Sequence, residues 1–112
     1  MMTQSPLLVK TYDFLKWLLP VTEKFPKSQR FVMAQRLQQT SLSFYELLIE
    51  ARHVRPNEAV LKKADIELEK LRLYLRLCHE LDLLGMGSYQ HAAQMTTEMG
   101  KLLGGWLKMG RS

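Results

Sequence analysis

Three short breaks divide the chain into four segments with helical periodicity, and their spacing limits the fold more than any other feature. The breaks are Phe25-Pro26, Arg55-Pro56-Asn57 and Gly85-Met86-Gly87-Ser88. Proline removes a backbone N–H and restricts the residue before it, so helices end near these positions. Short connections make consecutive helices antiparallel. We therefore predict an all-α protein, an antiparallel up-down-up-down four-helix bundle that occupies residues 1–112 as one domain.

The hydrophobic pattern gives approximate bounds for the four helices. They are predicted over about residues 7–24, 29–54, 58–84 and 89–109. Pro20 interrupts the first pattern, so we expect a kink or an early end there. The expected end residues are Ser28, Asn57 and Ser88 as N-caps and Gly85 as a C-cap. Gly100 and Gly104 lie one turn apart in the last helix and are expected to allow close approach of a neighbouring helix.

The second and third helices carry more apolar surface than one bundle core needs. Each has a stripe of apolar residues at steps of three and four, typical of a bundle seam. These two stripes are Met33, Leu37, Ser41, Phe44, Leu48 and Ala51, and Leu61, Ala64, Leu68, Leu71, Leu75 and Cys78. Further apolar residues lie beside them. From this surplus we predict an oligomer interface of Phe31, Leu42, Tyr45, Ile49, Ile66, Leu73 and Leu77.

The chain is basic, with 16 Lys and Arg against 11 Asp and Glu, a net charge of +5 and a pI of about 9.5. One group of cations, Lys24, Lys27, Arg30 and Arg36, has only Glu23 as an acidic neighbour, which favours a phosphate-binding role. A second group, Lys62, Arg72 and Arg76, shares a helix face with Asp65 and Glu69. That mixed face is equally consistent with a solvated surface of ion pairs.

The sequence contains no recognisable pattern for a catalytic or metal site. The three histidines lack a metal-binding spacing, and there is no nucleophile elbow, phosphate loop or dinucleotide fingerprint. We therefore predict no enzyme activity, no catalytic residue, no metal and no cofactor. The single Cys78 is interpreted as a small core residue in a reducing compartment. With no leader pattern or membrane-spanning run, we expect a cytoplasmic protein without a membrane partner.

Several motifs resemble one known family over nearly the whole chain. They are Phe25-Pro26-Lys27-Ser28-Gln29-Arg30-Phe31, the helix ending Leu47-Leu48-Ile49-Glu50-Ala51, Leu71-Arg72 with its leucine-rich continuation, and Leu103-Gly104-Gly105-Trp106-Leu107. Together they resemble the accessory variability determinant (Avd) proteins of diversity-generating retroelements. A related alternative is the four-helix protein encoded in ribosomal-RNA intervening sequences, which oligomerises without a polymerase partner. Its second helix typically ends in an Asn-Ile-Ala-Glu-Gly motif, where this chain has Leu-Ile-Glu-Ala.

The resemblance to Avd proteins implies a non-catalytic subunit that assembles as a homopentamer. It also implies binding to the element's reverse transcriptase and to RNA and DNA, in support of mutagenic retrohoming. A charge of +5 per chain would become about +25 in a pentamer, which attracts polyanions strongly. The residues expected to contact nucleic acid or the polymerase are Lys24, Lys27, Arg30, Arg36, Lys62, Arg72 and Arg76.

Overall fold

A computed structural model describes residues 5–110, and its helices form a four-helix bundle as predicted. Helix α1 is Pro6–Glu23. Helix α2 covers residues 27–51 and is built from a short α-helical turn Lys27–Gln29, a π-helical turn Arg30–Ala34 and the α-helix Gln35–Ala51. Helix α3 is Glu58–Glu80 and helix α4 is Met86–Gly110. Within residues 5–110, no helix is both long and apolar enough to cross a membrane.

Side-chain contacts between helices define their directions. Between α1 and α4, Lys10 pairs with Glu98 and the Trp17 ring contacts His91. In this pair the residue numbers rise along α1 and fall along α4. The same holds between α1 and α2, where Tyr12 contacts Tyr45 and Thr22 contacts Gln38. The α3–α4 pair repeats this order, with Arg72 near Thr97 and His79 stacked on Tyr89. Neighbouring helices in these pairs therefore run in opposite directions.

Both predicted seams lie in the core. All six residues of each stripe, on α2 and on α3, are buried. They pack with Leu7, Phe14 and Leu18 of α1 and with Met99 and Leu103 of α4. Ser41, the polar residue of the α2 stripe, forms a hydrogen bond within its own helix, because its hydroxyl donates to the Leu37 carbonyl at 2.7 Å. The 3.6-residue period thus identified the core-facing side of the two central helices.

Helix α1 does not end early at Pro20 but continues to Glu23. It begins at an N-cap that the sequence analysis missed, where the Ser5 side chain accepts a bond from the Leu8 N–H at 3.4 Å. The prediction that Ser28 caps the second helix is wrong, since Pro26 is the N-cap residue. The chain enters a helical turn directly after Pro26, whose carbonyl accepts from the Gln29 N–H at 2.8 Å.

A π-helical turn near the start of α2 was not predicted. At its end the Gln35 N–H donates to the Arg30 carbonyl, five residues back. Turns of this kind insert one extra residue into a helix and often mark functional positions. Met33 and Ala34 face the core, whereas Phe31 is 81% exposed.

The connection between α2 and α3 begins earlier than predicted. Helix α2 ends at Ala51 rather than near Val54. Asn57 is the N-cap residue of α3 as expected, but its side chain makes no capping bond. Instead, Asn57 Nδ2 donates to the Ala51 carbonyl at 3.0 Å and satisfies an unpaired group at the end of α2.

The end of α3 differs from the prediction in both length and capping residue. The helix stops at Glu80, and Asp82 rather than Gly85 has the left-handed conformation, with a φ of 63°. The Asp82 N–H donates to the His79 carbonyl at 3.0 Å and the Leu83 N–H to the Cys78 carbonyl at 2.8 Å. These two bonds form a Schellman motif.

The start of α4 also differs from the prediction. Helix α4 begins at Met86, so Ser88 lies inside the helix and the prediction that it is an N-cap is wrong.

The expectation that Gly100 and Gly104 allow close approach of a neighbouring helix holds only in part. A Cβ at Gly100 would lie 3.5 Å from Leu68 Cδ2, an ordinary contact, and one at Gly104 would meet nothing within 4 Å.

Two substitutions in the α3–α4 turn test this capping geometry. Asp82→Gly should raise the free energy of unfolding by about 0.5–1 kcal/mol, because glycine adopts a positive φ without a steric cost. Gly85→Ala should also stabilise, by about 0.4–1 kcal/mol, because alanine restricts the unfolded chain. Urea unfolding followed by circular dichroism measures both. A loss of stability in Gly85→Ala with no gain in Asp82→Gly would instead place the left-handed residue at Gly85.

Burial of Cys78 predicts a dependence of stability on pH. Burial raises the pKa of this thiol from 9.0 to about 11. Between those values the unfolded chain ionises while the folded chain does not, so stability is full below about pH 9 and falls towards pH 11. The stability advantage of the wild type over Cys78→Ala should therefore shrink by on the order of 2 kcal/mol between pH 8 and pH 10.5. Parallel urea titrations give this difference, and an advantage that does not change with pH would contradict it.

Candidate nucleic-acid and assembly surfaces

The first candidate surface is the connection between α1 and α2, which we call the basic turn: Lys24, Lys27, Arg30 and Arg36. All four side chains are exposed. Phe25 is buried and anchors the turn in the core, and Arg30 Nε donates to the Phe25 carbonyl at 3.2 Å. The sequence predicted this grouping, and the fold holds it on a fixed backbone at one end of the bundle.

The charges of the basic turn are not neutralised within the described residues. Arg36 lies over the Tyr74 ring, 5.8 Å from its centroid. This contact orients the guanidinium group but does not neutralise its charge. Glu23 is the one acidic residue in the segment 23–36, and no salt bridge in residues 5–110 involves a member of the basic turn. The turn therefore presents four positive charges to solvent.

The second predicted group of cations is largely engaged in contacts within the chain. Lys62 lies 3.8 Å from Glu58, and Arg76 Nε lies 3.1 Å from Glu80. Arg72 Nη2 is 3.5 Å from the Thr97 hydroxyl. These ion pairs join residues four apart on the exposed face of α3, as expected for a solvated surface. The acidic partners are Glu58 and Glu80, and the sequence analysis did not identify either of them.

The residues predicted to form an oligomer interface lie in three separate places. Tyr45 is partly buried and the other six residues are exposed. Leu42, Tyr45 and Ile49 follow one side of α2, and the Tyr45 ring meets Tyr12 of α1 at 6.4 Å between centroids. We call the exposed residues Val9, Tyr12, Leu42 and Ile49, together with the partly buried Tyr45, the α1–α2 surface.

The other apolar residues lie elsewhere on the bundle. Ile66, Leu73 and Leu77 follow each other at steps of seven and four on α3, and we call them the α3 ridge. They lie on the side of the helix away from the buried seam, and Leu73 is 60% exposed. Phe31 belongs to neither surface, because it lies in the π-helical turn beside Arg30. The bundle thus carries two different apolar surfaces on its sides.

Sequence reasoning missed a cavity at the opposite end of the bundle from the basic turn. It lies between the α2–α3 connection and the last turns of α4. Its lining includes Arg52, Arg55 and Trp106, none of which had been assigned to a site. No sequence pattern could have identified it, because the two segments are about 50 residues apart and meet only in the folded chain.

The described part of the chain contains no cluster of three or more His, Cys, Asp or Glu side chains suited to a metal ion. His79 is involved in packing, with its ring stacked on Tyr89 and Nδ1 3.0 Å from the Leu84 carbonyl. His91 lies against the Trp17 ring at 4.8 Å. These two histidines therefore support the interfaces of α4 with its neighbours.

The four-helix fold is consistent with a family match of the sequence. The sequence model of the bAvd-like family matches residues 7–110, nearly the whole chain. The protein therefore belongs to the bAvd-like family, whose members are in general accessory, non-catalytic proteins of diversity-generating retroelements. A search of curated proteins gives no match. The family match favours the retroelement group over the intervening-sequence group considered from the sequence.

Proposed function

We propose that this protein is an accessory subunit that binds the reverse transcriptase of its retroelement and nucleic acid, both template RNA and cDNA, and so supports mutagenic retrohoming. The observation that carries the proposal is the basic turn, four exposed cations on a fixed backbone with one acidic neighbour. Family membership supports it, because the match suggests an accessory protein of a retroelement, and the resemblance to Avd proteins implies a polymerase and its RNA as partners.

The charge distribution explains why the basic turn is a better phosphate-binding surface than α3. A cation that already has a carboxylate partner must give up that contact to bind phosphate, as Lys62 and Arg76 would. Lys24 and Lys27 have no such partner among the described residues, so their binding to phosphate releases condensed counterions without that cost.

Two matched triple variants test this assignment. Lys24→Gln/Lys27→Gln/Arg30→Gln should weaken binding to single-stranded RNA by roughly tenfold or more and flatten its dependence on salt, because three phosphate contacts are lost. Lys62→Gln/Arg72→Gln/Arg76→Gln removes the same charge and should have a smaller effect. Fluorescence anisotropy across a salt titration measures both, with circular dichroism as the check on folding.

Equal losses in the two triple variants would mean that net charge, rather than the basic turn, governs binding. Co-purification of the element's reverse transcriptase with each variant tests the polymerase role separately. If the basic-turn variant binds RNA normally but loses the polymerase, the turn is a polymerase contact and its nucleic-acid assignment is wrong.

We further propose that the chain forms a closed ring, and a pentamer is the assembly that the family resemblance implies. The support is the presence of two different apolar surfaces, the α1–α2 surface and the α3 ridge, on one chain. A ring needs two different complementary surfaces on each subunit, whereas a two-fold dimer uses one surface twice. Exposed apolar surfaces of this kind mark interaction sites in soluble proteins.

A mixing experiment tests the ring. Leu42→Glu blocks the α1–α2 surface and Leu73→Glu blocks the α3 ridge, so each variant alone should be a monomer, since a buried unpaired charge costs several kcal/mol. A mixture of the two should form a 1:1 dimer through the remaining pair of intact surfaces. Light scattering measures the masses, with the wild type expected at five times 13.1 kDa.

The same variants identify the competing arrangement. If either variant alone remains a dimer, one surface binds its own copy and the ring is wrong. An exposed control, Gln94→Glu on α4, should leave the wild-type mass unchanged, because it adds the same charge on a helix that contributes to neither surface.

A further inference from the structure

The cavity at the α2–α3 connection has the size and composition of a ligand site. Its volume is about 700 Å³, within the range of small-molecule pockets. The lining residues used below are Arg52, Arg55, Pro56, Asn57, Trp106 and Met109. The bundle is about 45 Å long, and the basic turn lies at its other end. Any ligand held here therefore makes a contact separate from the basic turn.

Two polar side chains of the lining are fixed before any ligand binds. Arg55 Nη1 donates to the Ala51 carbonyl at 2.9 Å and to the Val54 carbonyl at 2.7 Å. The Ala51 carbonyl also accepts from Asn57 Nδ2. The Ala51 carbonyl at the end of α2 thus contacts both side chains at the cavity wall, and the Val54 carbonyl of the connection adds a second bond to Arg55. Such preorganisation lowers the cost of ordering side chains on binding.

The arginines retain donors for an anion. Within the described residues, Arg55 donates hydrogen bonds only through Nη1, so Nε and Nη2 still offer three N–H groups. Arg52 is exposed at the same wall. Within the described residues, no Asp or Glu lines the cavity. Two guanidinium groups without a lining carboxylate favour a phosphate, which arginine binds with two parallel hydrogen bonds.

The opposite part of the lining is aromatic and apolar. Trp106 packs partly against the core, and Met109 and Pro56 add apolar surface. An indole face offers stacking to a nucleobase, which contributes about 1–3 kcal/mol per base in single-strand binding. Phosphate-binding groups and a stacking surface in one cavity together match the two halves of a nucleotide.

We propose that this cavity binds one nucleotide of a single-stranded nucleic acid, with the base against Trp106 and the phosphate at Arg52 and Arg55. The proposal rests on the proposed nucleic-acid function and adds a second contact to it. In this arrangement a strand could be held at both ends of the bundle, with the basic turn contacting phosphates and the cavity contacting a base. Duplexes are not expected to enter, because their bases are stacked and paired.

Tryptophan fluorescence gives a direct test. The chain has two tryptophans, so Trp17→Phe leaves Trp106 as the single reporter. In this background, adenosine monophosphate and a single-stranded adenylate RNA hexamer should quench Trp106. Arg52→Gln should weaken the hexamer's affinity by about tenfold through the loss of a charge-assisted contact. Lys63→Gln, which removes one exposed charge from α3, should stay within about twofold.

The outcomes separate this site from the proposed function. Absence of quenching, or equal effects of Arg52→Gln and Lys63→Gln, overturns the cavity site even where the basic-turn variant still loses RNA affinity. Quenching with a specific Arg52→Gln loss supports the site even where the basic turn proves unimportant. Quenching by an acidic peptide but not by the nucleotides would assign the cavity to a protein ligand and overturn the proposal.

Discussion

The packing of α2 against α3 is the contact on which the rest of the structure depends. These two helices share the most extensive helix contact in the bundle, and each buries one complete seam of six residues. Because a helix has a single core-facing side, burial of the seam fixes the rotation of both helices. That rotation places the α3 ridge outward, brings Tyr45 against Tyr12 of α1 and leaves Leu42 and Ile49 exposed. The positions of the apolar surfaces are thus consequences of core packing.

The two ends of the bundle differ in chemistry because their connections have different residues. At one end, Phe25 anchors a turn of exposed cations, and the π-helical turn places Phe31 in solvent beside them. At the other end, the Ala51 carbonyl that terminates α2 accepts bonds from Arg55 and Asn57 at the wall of a cavity that Trp106 also lines. Polar groups left by helix ends need partners, and here the partners themselves form candidate binding sites.

Charge alone is a poor guide to function in this chain. The sequence suggested seven cations as candidates, and two of them, Lys62 and Arg76, form ion pairs with carboxylates one turn away. The acids Glu58 and Glu80 lie at the two ends of α3, and Lys62 pairs with Glu58 rather than with Asp65, a choice that composition does not show. In the basic turn no such choice exists, because Glu23 is the single acid within the segment. Local composition was therefore informative there.

The sequence by itself determined the four helices, the core-facing stripes and the basic turn, since helical period, proline positions and local charge act over a few residues. It did not determine where the chain reverses in detail. Asp82 rather than Gly85 takes the left-handed position, because the last turn of α3 ends where Leu83 and Leu84 must return to the core. The π-helical turn and the separation of the apolar residues into two surfaces likewise depend on packing against other helices. Only the tertiary structure brought Arg52, Arg55 and Trp106 together, because contacts between distant segments follow from the bundle as a whole.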